Sequence, residues 1–142
     1  MGTVTGVHSL DQALMTLHEW LKDISDELGV GDKEDAFVIT RAVLVALRDR
    51  LTVEEAADFA AQLPMMLQGV YFHGYKPGNK PLKMKTRQEF VDYVDQNLNR
   101  DIDPVDAIHI VYAVLKRRIS PGQLADTISG LPQEIAALWI EE

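Results

Sequence analysis

The 142-residue sequence contains no cysteine. That excludes disulfides, thiolate metal sites and cysteine nucleophiles, and is neutral about compartment. No apolar run approaches the roughly 18 residues a membrane span needs. The start of the chain lacks a basic stretch leading into an apolar one, which argues against a cleaved secretory signal. Met1-Gly2 opens like a myristoylation site, but Gly6 stands where the hydroxyl residue belongs, so the motif fails. The expectation is a cytoplasmic protein with no membrane association.

Catalytic vocabulary is equally sparse. The four histidines, His8, His18, His73 and His109, show no HExxH or similarly close spacing. Ser9, Ser25, Ser120 and Ser129 are the only serines, and none lies in a nucleophile elbow. Neither a GxGxxG turn nor a Walker-type loop occurs. Asn97, Asn99, Asp101 and Asp103 alternate like calcium-loop ligands. Ile102 replaces the required glycine, however, and Ile108 the closing glutamate. The reading is therefore no catalytic residue, no metal, no cofactor and no enzyme.

What is present is a repetition. Val43–Leu67 and Val111–Ile135 align without a gap at an offset of 68, with seven identities: Val43, Leu47, Arg50, Ala57, Asp58, Leu63 and Pro64 in the first copy. Punctuation residues kept in register over such a length point to an internal duplication. Helix-start signals recur along the chain: Ser9, Asp32, Thr52, Thr86, Asp103 and Ser120 each precede an acid or glutamine by three. Pro104 and Pro121, and also Pro64 and Pro132, fit the first helical position. Between these signals apolar residues recur at helical spacing. Leu10, Leu14, Leu17, Leu21, Ile24 and Leu28 form one stripe, ended by Gly29. Phe37–Leu47 and Val105–Leu115 are apolar nearly all round and are predicted to be central, buried helices. The expectation is one all-α domain, an eight-helix bundle of two tandem four-helix repeats with pseudo-two-fold symmetry. Repeat one spans about 9–71, a linker about 72–85, and repeat two about 86–142.

Charge is uneven. The net charge is −8, which argues against general nucleic-acid binding. Between Gly69 and Gln88 there are no acids and five bases, whereas the rest of the chain carries nine bases against 22 acids. With the neighbouring aromatics this defines a candidate surface of Tyr71, Phe72, His73, Tyr75, Lys76, Lys80, Lys83, Lys85 and Arg87. It suits a small anionic ligand, an acidic peptide or nucleic acid. The alternative is that the aromatics pin a long crossover while the lysines offset nearby acids. Arg50 with Asp58, and Arg118 with Asp126, read as structural ion pairs at two equivalent corners, or as a ligand-binding arginine used twice. His109 reads as a satisfied histidine at the core margin. Met65-Met66 reads as core packing or as an exposed partner groove. The leading functional expectation is a non-catalytic module that binds an unknown protein partner or itself. The second is anion or nucleic-acid binding at 71–87.

The blocks ALRDRLTVEEAADFAAQLPMMLQGVYFHGYKP, TRQEF and VLKRRISPGQLADTISGLPQEIAALW resemble the bacterial family called domain of unknown function 2267, from about Trp20 to Trp139. Tyr75 stands where that family often has tryptophan. The resemblance implies an all-helical bacterial cytoplasmic protein and no particular reaction.

Overall fold

A computed structural model describes residues 4–29 and 32–141; Met1 and Gly2 of the attempted lipidation motif, and Glu142 at the end of the expected second repeat, lie outside them. Eight α-helices and one short 3-10 turn, and no strand, occur among the described residues. They are α1 (His8–Leu28), α2 (Lys33–Arg50), α3 (Val53–Ala60), α4 (Met65–Phe72), α5 (Arg87–Leu98), α6 (Pro104–Arg118), α7 (Pro121–Ser129) and α8 (Gln133–Ile140), with the 3-10 turn at Pro77–Asn79.

Local chemistry explains most helix starts. Asp32 accepts from the Asp35 N–H, and Asp103 from the Val105 N–H. Thr52 with Glu55, and Thr86 with Glu89, form complete reciprocal boxes. Each cap is worth ~1 kcal/mol because it satisfies a donor the helix cannot. Three expectations need correction. The first helix begins at His8, so Ser9 is inside it; the Asp11 carboxylate instead gathers the Val4 and Thr5 N–H groups at 3.2 and 2.9 Å. Ser120 is the N-cap residue of α7 but, among the described residues, makes no side-chain cap bond. Pro64 and Pro132 have extended ψ values of 158° and 147°, so each sits just before its helix, at the N-cap.

α2 is the centre of the molecule and packs on α1, α4, α5 and α6. Ala36, Ile39, Ala42, Val43, Ala46 and Leu47 are fully buried along it. α6 lies beside it with Ala107, Ile108, Val114 and Leu115 buried, while Ile110 and Tyr112 are only half-buried. Each large side chain so removed from water contributes roughly 1.5–3 kcal/mol. α8 closes the bundle against α5, α6 and α7, burying Trp139 between Phe90 and Tyr112. α1 is held at its C-terminal half. Trp20, Leu21 and Ile24 are buried, whereas Leu10 and Met15 are exposed, so the predicted stripe is a core contact over its last turns only.

The predicted corner ion pairs do not form among the described residues. Arg50 Nε donates to the Met84 carbonyl at 2.5 Å, and Arg118 Nε bonds Asp23 on α1 at 2.8 Å. The reason lies at Leu51, whose extended backbone turns the chain away from the end of α2 before α3 begins. Asp58 and Asp126 line a separate groove between α3 and α7 with Glu55, Gln62 and Gln123. His109 is half-buried, with Nε2 2.8 Å from the Leu138 carbonyl.

Candidate functional site: a cationic cleft on a buried ion pair

At the C-terminal end of α2, Arg48 and Asp49 are both buried, 5% and 3% exposed. Two charges taken out of water must be fully partnered. Arg48 Nε and Nη2 donate to the two Asp49 oxygens at 2.7 and 3.0 Å. Its Nη1 donates to the carbonyls of Tyr71 and His73, both at 3.0 Å. The guanidinium lies 5.1 Å from the Tyr75 ring centroid. Asp49 also accepts from the Tyr93 hydroxyl of α5 at 2.5 Å, and its own carbonyl accepts from the Leu82 N–H at 2.8 Å. One end of α2 thus holds both ends of the linker and a neighbouring helix. Burial, with the bond to Asp49, pushes the Tyr93 phenol up to about 12.

Over this pair lies a cleft of about 450 Å³. Arg41, Val45, Arg48 and Asp49 form one wall, at the spacing of a single helix face. His73, Lys76 and Lys80 come from the linker, and Tyr93 and Asn97 from α5, one turn apart. Gly74 makes the turn out of α4, with φ at +74°. Lys80 Nζ is steadied by the Lys76 carbonyl at 2.9 Å. Of the described residues that line the cleft four are cations, and Asp49 is the only acid. Among the described residues Arg41, Lys76 and Lys80 form no ion pair, whereas both Asp49 oxygens are already occupied.

The structure therefore divides the candidate surface. His73, Lys76 and Lys80 converge in the cleft. Tyr71 is fully buried, its hydroxyl donating to the Ala56 carbonyl at 3.0 Å, so it leaves the surface. Burial pushes its phenol well above the ordinary range. Tyr75 packs against the core beneath Arg48, and its phenol is raised by the same cause. Phe72 is 37% exposed, edge-on to Tyr71. Lys83 and Lys85 are exposed outside the cleft, and Arg87 bonds Glu141 at 2.7 Å. Arg41, Arg48, Asp49 and Tyr93 were missed by sequence reasoning. For Arg48 and Asp49 the one signal was two charges at the end of a largely apolar helix; Arg41 and Tyr93 carried none.

A family model described as uncharacterized conserved protein (DUF2267) matches residues 17–138. The chain belongs to the DUF2267 family. The match takes in all of α2 to α7 and so every residue that lines the cleft. No curated protein matches this DUF2267 chain. Among its described residues no helix is long and apolar enough to cross a membrane, and no three histidine, aspartate or glutamate residues gather to hold a metal ion.

Proposed function

We propose that this DUF2267 protein is a non-catalytic binding module whose cleft between α2, the linker and α5 takes an anionic group. The observation that carries the reading is the convergence of Arg41, Lys76 and Lys80 without acid partners, on a chain that is otherwise strongly acidic. Like charges brought together cost free energy, which an anion offsets. The one carboxylate lining the cleft is saturated, and Tyr93 holds its proton far above neutral pH, which favours binding over acid–base work by these two groups. Aqueous, cytoplasmic operation fits this role.

The test is calorimetric titration with inorganic pyrophosphate and with a short polyglutamate peptide. Binding is expected, weaker at high salt, and lost in Lys76→Glu/Lys80→Glu while Lys83→Glu retains it. Equal binding by the cleft variant and the wild type would sink the proposal.

The duplication belongs to the same proposal. α4 and α8 begin at Met65 and Gln133, and α2 and α6 end at Arg50 and Arg118, in each case 68 residues apart as in the sequence alignment. On this reading the repeats diverged in the cleft, since Lys116 and Arg117 occupy the places of Arg48 and Asp49.

Self-association is a second reading, favoured by exposed Val7 just before α1 and by exposed Leu10 and Met15 on its N-terminal half. Sedimentation of wild type against Leu10→Glu tests it; a monomer in both cases removes it.

A further inference from the structure

We infer that the anion recognised by the cleft is the acidic part of an amphipathic helical segment from another protein. Its apolar side chains would seat in the groove between α2 and α4. This inference rests on the reading of the cleft as an anion site and names its occupant.

The groove has a volume of about 340 Å³ and is walled by Phe37 of α2 and by Met65, Met66 and Val70 of α4. Arg41 and His73 line both the groove and the cleft, so the two are one continuous surface, apolar at one end and cationic at the other. Met65 is 53% exposed. Methionines suit such a wall, because an unbranched thioether adapts its shape to what lies against it.

Gly69 is the independent observation. It lies inside α4, where glycine is a poor helix former. A Cβ there would meet nothing within 4 Å, and its φ is not left-handed, so neither crowding nor backbone geometry calls for glycine. The bare position leaves the groove open along that side of α4. The residue 68 positions on, in α8, is Ala137.

A groove between two helices, with a charged end, matches the mode in which an amphipathic helix lays its apolar face on a partner. Charge complementarity selects an acidic one. A small free anion would use the cationic end alone and leave the methionine wall without a role. An acyl chain calls for an enclosed tunnel, whereas this groove is open along Met65. Single-stranded nucleic acid is held by stacking on free aromatic faces, and of the linker aromatics Tyr71 is fully buried and the Arg48 guanidinium lies over Tyr75, leaving Phe72 alone exposed.

The experiment is a display selection on the full chain with random peptides about twelve residues long, roughly three helical turns. Pyrophosphate titration runs in parallel. The expected peptides carry Asp or Glu beside apolar residues spaced three and four apart. Met65→Ser and Gly69→Leu should each weaken them about tenfold, the scale of one buried apolar side chain, and leave pyrophosphate binding unchanged. Thermal melting confirms that both variants fold. Peptides that are merely acid-rich and indifferent to both variants overturn the inference while the anion site stands. A dimer of the chain that Met65→Ser dissolves also overturns it, because the groove then holds a second copy. Failure of pyrophosphate to bind removes the anion site itself.

Discussion

Arg48 and Asp49 are neighbours in the chain, yet their side chains fold back on each other and share two hydrogen bonds of 2.7 and 3.0 Å beneath the surface. Successive residues on a helix ordinarily point apart. Here both lie in the last turn of α2, and the surrounding carbonyls and the Tyr93 hydroxyl complete the arrangement.

Removing one member strands the other. Arg48→Met is expected to cost about 3–5 kcal/mol, because Asp49 would stay buried without its cation. Arg48→Met/Asp49→Leu should recover much of that loss. Urea denaturation of the three proteins measures it, and a double variant no better than the single would show that the charges are not coupled.

The Tyr93 phenol is raised to about 12 from an ordinary value of 10. Its folded-state value lies above its unfolded one, so its contribution to stability is complete below pH 10 and is lost as pH rises through about 12. Tyr71 adds to the same alkaline loss, being pushed up by burial. The expected outcome is a late phenolate absorbance step that Tyr93→Phe diminishes, together with a shallower fall in stability above pH 10 in that variant.

Two glycines should respond oppositely to alanine. Gly69→Ala is expected to stabilise by about 0.5–1 kcal/mol, because the site is helical and open. Gly74→Ala should destabilise by about 1 kcal/mol or more, because its φ of +74° strains any side chain. Paired thermal melts decide this, and a shift of the same sign in both would contradict it.

The caps offer a graded series. Thr52→Ala and Thr86→Ala should each lose ~1 kcal/mol, whereas Ser120→Ala and Ser9→Ala should lose almost nothing, lacking a cap bond among the described residues. Backbone hydrogen bonds from Lys85 and Thr86 hold the Glu89 carboxyl below its ordinary value of 4.5. That contribution is present above pH 4.5 and fades as pH falls through the lower folded-state value. Helicity followed by circular dichroism on acid titration, in wild type and Glu89→Gln, checks it.

The sequence showed what is local. Asp32, Thr52, Thr86 and Asp103 mark their helices correctly because a cap depends on three or four consecutive residues. The buried character of α2 was legible because Phe37–Leu47 is apolar nearly all round, with Thr40 and Arg41 the exceptions. The cleft was not, because its pairings join residues far apart. Arg48 reaches carbonyls 23 and 25 positions away, and Asp49 a hydroxyl 44 away. Arg50 drew attention because it aligns with Arg118, but each arginine has a different and distant partner, Met84 34 positions away in one case and Asp23 95 away in the other. Tyr71 and Tyr75 looked like stacking platforms because composition does not say which side of a chain segment faces inward.

The charge layout has a kinetic consequence. At low salt, where the Debye length is long, an approaching anion meets the net field of the molecule, which is negative; at physiological salt, where that length is ~8 Å, only nearby charges such as Arg41, Lys76 and Lys80 act on it. Added salt therefore relieves the long-range repulsion while weakening the short-range hold. Association should slow little, or even quicken, as salt rises, and nearly all the loss of affinity should emerge as faster dissociation. On the proposed reading, the cleft would discriminate by residence time and not by capture.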